Sequence, residues 1–156
     1  MSGLQETVDD FLRQKRIAVA GVSRGGKEAA NLIYRKLRDH GYRVYAVNPR
    51  AEEVEGDRCY PDLRSVPESL DGVVAATPPA AARDLARECA EIGIPRFWMH
   101  RSFGEGSVSP EAARFCRERG ITVIPGACPM MYLEPDVGHR CMRWVLGVTG
   151  KLPQPG

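Results

Sequence analysis

Two short stretches carry residue types suited to holding an anion. The first is "GVSRGGK", residues 21–27, which follows a continuous apolar run and precedes a helical pattern. Gly21 permits a tight turn, and Gly25 and Gly26 let main chain approach a bound group closely. A helix N-terminus behind such a loop offers free N–H groups and a partial positive charge, which suit a phosphate. Ser23 adds a hydroxyl, and Arg24 and Lys27 add charge-assisted donors. The spacing G-x-x-x-G-G is not the dinucleotide fingerprint G-x-G-x-x-G, so the loop alone also reads as a plain strand-to-helix turn.

The second stretch is "NPR", residues 48–50. A site of the NAD type places an acid about 20 residues on, where it accepts the ribose hydroxyls. Here Asn48, Pro49 and Arg50 stand instead, while Glu52 and Glu53 come past the proline and are expected to face solvent. Asn48 can bond a ribose or a base without charge, Pro49 stiffens the turn, and Arg50 suits a phosphate on the ribose. NADP carries such a phosphate at the 2′ position and coenzyme A at the 3′ position, and the residues leave both open. The bland reading of Arg50 is a solvated surface arginine. A third stretch, "ATPP", ends a strand at Thr77. Its prolines, Pro78 and Pro79, are expected to form an extended apolar wall that packs on a base or a pantetheine arm.

These loops need elements to position them. "RIAVAGV" (16–22), "RVYAVN" (43–48), "GVVAAT" (72–77), "RFWMH" (96–100) and "ITVIP" (121–125) read as strands, most of them continuous apolar runs that need cover on both faces. Between them, helical periodicity predicts helices over 27–40, with Ala30, Ile33, Tyr34 and Leu37 inward, and over 80–92, with Ala82, Leu85, Ala86 and Cys89 inward. Further helices are predicted over 110–119 and 137–147, the last packing Met142 and Val145 or Leu146, and an amphipathic opener carries Val8, Phe11 and Leu12. Only the stretch from Pro49 to Asp71 is irregular, with "CYPDL" adding a short strand. Strands alternating with helices imply parallel pairing through right-handed crossovers. The expected fold is a three-layer α/β, Rossmann-like, doubly wound and mainly parallel sheet, one domain over residues 1–156. In such sheets ligands sit at the carboxyl ends of the strands, where connections diverge, and the loops above converge there.

Composition excludes several classes. Net charge is +2, from 22 basic and 20 acidic residues, so no global basic field recruits nucleic acid or anionic lipid. No apolar stretch approaches the length of a membrane span. The five cysteines are an odd number with no C-x-x-C pair, which fits reduced thiols and a cytoplasmic location. Cys128, His139 and Cys141 match no common zinc spacing, so no metal site is expected. His40 sits at a helix end and reads as structural; His100 faces the expected site but lacks a nearby acid, so no catalytic residue is expected.

In this order, "GVSRGG", "VYAVNPR", "YPDL", "DGVVAATPP" and "FWMH" resemble the small CoA-binding domain proteins, which share their fold with the N-terminal domain of the succinyl-CoA synthetase alpha subunit. The likeness covers roughly residues 14–126. It implies that Ser23, Arg24 and Gly25 hold the CoA phosphates, that Asn48, Pro49 and Arg50 lie near the 3′-phosphate, and that Thr77 and Pro78 line the groove. By the same resemblance Trp98 and His100 flank the pantetheine. "WMHR" departs from the glutamine more usual there, and the ligase part with its phosphorylated histidine is expected to be absent. The reading is a module that binds coenzyme A or an acyl-CoA without catalysis of its own. The alternatives are a small NADP-linked reductase and a regulatory module whose ligand tunes assembly as a homo-oligomer or with a protein partner.

Overall fold

Short strands that are apolar on both sides fold only when each side finds cover, and here the cover comes from two helical layers. The computed structural model describes residues 3–101, 106–133, 137–150 and 152–153, without the side chains of 137–139, 141 and 142. Its strands are β1 (Arg16–Ala20), β2 (Arg43–Val47), β3 (Glu53–Val54), β4 (Asp57–Tyr60), β5 (Gly72–Ala75), β6 (Arg96–Met99) and β7 (Thr122–Pro125). They form a seven-stranded sheet in the order β3-β4-β2-β1-β5-β6-β7. Every neighbouring pair is parallel except β3 with β4.

The helices are α1 (Leu4–Leu12), α2 (Ala29–Asp39), α3 (Pro79–Ile92), α4 (Pro110–Glu118) and α5 (Val137–Val148), with a 3-10 turn at Pro129–Met131. The two-residue period of a strand sends alternate side chains to opposite layers. Ile17 and Val19 join Phe11, Ile33, Leu37 and Trp98 on one face. Ala18 and Ala20 join Ala82, Ala86, Phe97 and Ala112 on the other. The chain therefore winds one way from β1 through α2 to β2 and the opposite way from β5 through α3 and α4. This is the Rossmann-like α/β fold anticipated from the strand–helix alternation. Close packing of α1 needs Gly72, because a Cβ there would lie 2.8 Å from the Phe11 ring.

Some details differ from the sequence reading. The edge of the sheet is a hairpin, β3–β4, whose turn residues Glu55 and Gly56 both have positive φ (54° and 79°). That pair of left-handed residues is what a two-residue hairpin turn requires. The strand expected near "CYPDL" is thus Asp57–Tyr60, paired in parallel with β2. Helix α2 fastens the hairpin: Tyr34 Oη donates to Asp57 (2.7 Å), and Arg38 Nη1 donates to Asp57 (2.8 Å) and to the Glu55 carbonyl (2.7 Å). On α5, Leu146 is buried whereas Val145 is exposed; Met142 lies outside the described side chains.

Candidate ligand-binding site

The winding direction reverses between β1 and β5, so the loops leaving their carboxyl ends part and open a crevice. At its base the main chains cross almost in contact. Gly21 has φ +101°, its N–H donates to the Val47 carbonyl (3.1 Å), and a Cβ on it would lie 2.2 Å from the Ala76 carbonyl oxygen. Only glycine fits that crossing.

Two asparagines then fix the loops. Asn48 Nδ2 donates to the Val22 carbonyl (2.9 Å), and its Oδ1 accepts the Arg50 N–H (2.9 Å), tying the loop after β1 to the loop after β2. Asn31, fully buried on α2, holds the Ser23 peptide from both sides. Its Oδ1 accepts the Ser23 N–H (2.9 Å) and its Nδ2 donates to the Ser23 carbonyl (2.7 Å). Arg35 Nη1 extends the bracing, donating to the Gly26 carbonyl (3.1 Å) and to the Glu55 carboxylate (2.7 Å). The sequence reading missed Asn31 and Arg35. The signal for Asn31 was a lone amide among the inward positions of a helix, one turn beyond a glycine loop.

A cleft of about 520 Å³ opens on this base. Gly21, Asn48, Pro49, Arg50, Thr77 and Pro78, all singled out from the sequence, line it together. The facing wall is α3, which presents Ala81, Asp84, Leu85 and Glu88, with Pro61 and Asp62 closing one side. Leu85, expected in the core, is half-buried at this wall. A second, wider cleft of about 910 Å³ lies beyond Pro49 and shares Pro49, Arg50 and Pro61 with the first. Arg50 thus stands on the ridge between them, exposed, and its guanidinium has no ion pair among the described residues.

Residues 23–27 form the loop before α2, beside the cleft rather than in its lining. The helix starts at Ala29, two residues later than periodicity suggests, with Glu28 at the N-cap. Ser23 is half-buried, Gly25 N–H donates to its Oγ (3.2 Å), and Arg24 and Lys27 are exposed. Ser23 Oγ donates to Glu28 Oε2 at 2.5 Å, and this hydroxyl is the chief reason that the Glu28 carboxyl sits below its ordinary pKa.

Other expectations need correcting. Of the two prolines, only Pro78 is extended (φ −58°, ψ 152°); Pro79 opens α3, where a fixed φ and a missing N–H suit the first helical position. The Thr77 N–H donates to Oγ of the buried Ser107 (2.7 Å), a partner the sequence did not reveal. Trp98 reaches neither cleft. Strand alternation turns it to the α1 face, fully buried, where its Nε1–H donates to the Gly126 carbonyl (2.8 Å) and its ring meets Phe11 edge-on at 5.2 Å. His100, half-buried, also borders neither cleft; its N–H donates to the Ala75 carbonyl (2.8 Å) and its carbonyl accepts the Ser107 N–H (2.8 Å). Cys128 is buried, while the side chains of His139 and Cys141 lie outside the described residues. No helix among the described residues is long and apolar enough to cross a membrane.

Against known families, residues 15–134 match the CoA binding domain model. The chain belongs to that family. This CoA-binding domain is 30% identical over 116 residues to the uncharacterized protein YneT of Bacillus subtilis (strain 168), covering 74% of this chain and 83% of YneT. Over 88 residues it is 33% identical to acetate–CoA ligase [ADP-forming] II of Archaeoglobus fulgidus, covering 54% of this chain but only 13% of the ligase. The CoA-binding domain is thus homologous to a small part of such ligases. A solved hypothetical protein from Pyrococcus horikoshii OT3 superposes with a TM-score of 0.75 at 26% identity, covering 83% of this chain and 91% of that one.

Proposed function

We propose that this domain binds coenzyme A or an acyl-CoA and performs no catalysis of its own. The observation that carries the reading is the ridge at Arg50. At the end of β2, where a carboxylate would receive a ribose diol, an exposed guanidinium stands between two clefts. A cation there favours a ribose that bears a phosphate. In this arrangement the adenosine occupies the 520 Å³ cleft, the 3′-phosphate meets Arg50, and the diphosphate lies along the loop of Ser23, Arg24, Gly25, Gly26 and Lys27. The pantetheine arm then runs out past Thr77 and Pro78. Family membership and homology to the CoA-binding portion of the ligases support the ligand class. This chain spans 13% of that ligase, so the ligase reaction is not carried over to it.

A reductase using NADP is the second reading, since Arg50 suits a 2′-phosphate as well as a 3′-phosphate. Titration calorimetry with CoA, dephospho-CoA, NAD and NADP separates the two. CoA is expected to bind best, with dephospho-CoA weaker. Binding of NADP with indifference to CoA would overturn the proposal, as would NAD binding as tight as CoA.

A further inference from the structure

The anion loop before α2 is already in use by the protein itself. Glu28, the N-cap of α2, folds back over the loop, and its Oε2 accepts the Ser23 hydroxyl at 2.5 Å. The carboxylate lies directly above Gly25, where an added Cβ would meet both carboxylate oxygens at 3.4 and 3.5 Å and Ser23 Oγ at 3.6 Å. A side-chain hydroxyl and consecutive main-chain N–H groups at the start of a helix are the donors that receive a phosphate oxygen. The seat is built, since the buried Asn31 clamps the Ser23 peptide and Arg35 holds the Gly26 carbonyl.

We infer that Glu28 is a resident competitor for the diphosphate seat, displaced into solvent when a phosphorylated ligand binds. This rests on the reading that the loop of residues 23–27 receives the diphosphate. The single Ser23 hydroxyl proton cannot serve the carboxylate and a phosphate oxygen at once, and a group over Gly25 would meet both carboxylate oxygens. Two anions side by side would also repel each other. Glu28 is exposed and its own main chain is fixed as the N-cap, so it can rotate outward without disturbing the fold. Its effect is a uniform penalty: every ligand that uses the seat must displace one carboxylate, while a ligand that does not use it is unaffected. The apparent affinity is the intrinsic affinity reduced by the fraction of molecules whose seat is open.

The test compares the wild type with Glu28→Ala and Glu28→Gln by titration calorimetry. The probes are CoA, inorganic pyrophosphate and pantetheine, which has no phosphate. Glu28→Ala is expected to bind CoA and pyrophosphate about two- to fivefold tighter, the scale of one exposed charged contact. Glu28→Gln, which keeps an acceptor oxygen, should fall between. Pantetheine should respond equally to all variants, and thermal unfolding should confirm that they fold. The gain should shrink at about 0.5 M salt, as any exposed charge contact does, but not vanish, because removing the carboxylate frees the Ser23 hydroxyl at every ionic strength. An unchanged or weaker pyrophosphate affinity in Glu28→Ala overturns the inference, as does a gain that salt abolishes. A pyrophosphate gain in a protein that ignores CoA would sink the coenzyme A reading and leave the competitor role standing.

Discussion

Replacing Arg50 by alanine is the perturbation that bears most directly on the ligand. Its main-chain N–H is held by Asn48 Oδ1, and its side chain makes no ion pair among the described residues. Truncation beyond Cβ therefore removes a charge and leaves the turn intact. The magnitude follows from exposure. Two unit charges about 4 Å apart interact by about 1 kcal/mol in water and about 4 kcal/mol at a protein surface of intermediate dielectric. Arg50 is exposed on a ridge open to two clefts, so the lower part of that range applies. The expected loss for CoA is about 1–1.5 kcal/mol, or about five- to tenfold in Kd. Dephospho-CoA lacks the 3′-phosphate and should lose almost nothing, so the two ligands and two proteins close a thermodynamic cycle. Arg50→Lys should recover part of the loss, since the charge stays and the planar fork goes. Calorimetry in low and high salt reads all of it, and the coupling should shrink as salt rises. Equal weakening of both ligands would refute the reasoning, because Arg50 would then act on something other than the ribose phosphate.

The remaining expectations concern the scaffold. Asn31→Ala removes two bonds from a buried amide to the Ser23 peptide and should lower stability by about 1–3 kcal/mol in urea unfolding; a loss below about 0.5 kcal/mol would show that the clamp is dispensable. The Tyr34 hydroxyl, and after it the Arg38 guanidinium, hold the Asp57 carboxyl below its usual pKa against the opposing effect of burial. Its contribution is therefore complete above the unfolded carboxyl value and is lost as pH falls through the lower folded value. Asp57→Asn should flatten the acid limb of the stability profile, and an unchanged limb would contradict this. Burial pushes the Cys116 thiol up to about 11 and raises Cys89 further. Both should resist a thiol reagent at neutral pH until the protein unfolds, and labelling of either at the unfolded rate would overturn the assignment.

What the sequence disclosed and what it hid divide along a physical line. Periodicity placed the strands and helices because burial on two faces leaves an unmistakable mark, as in Ile17–Ala20 and Val73–Ala75. Glycine and proline placed the loops, and Gly21 is glycine because two main chains cross there. The strand β3 was invisible, since two residues carry no period, and its turn uses Glu55 at positive φ rather than a Gly or Asn that would announce it. Trp98 lies in the core and not at either cleft, a placement hidden in the sequence because a strand end reads the same whether its last side chains face a ligand or the core. The register of β6 decides that, and it turns Trp98 toward Phe11.

The same line runs through the site. The residues that sequence motifs brought forward, Arg50, Thr77 and Pro78, line the cleft directly. The residues that set the shape of the loop of residues 23–27 do so from behind. Asn31 holds the Ser23 peptide, Asn48 holds the Val22 carbonyl and the Arg50 N–H, and Arg35 joins Gly26 to the hairpin turn. None of these bonds requires a ligand, so the loop is organised before anything binds and little ordering is left to oppose association. A seat prepared in this way also attracts the nearest anion the protein owns. On the proposed reading, that accounts for Glu28 lying across the Ser23 hydroxyl, and it makes the loop's rigidity and its occupation by Glu28 two consequences of one construction.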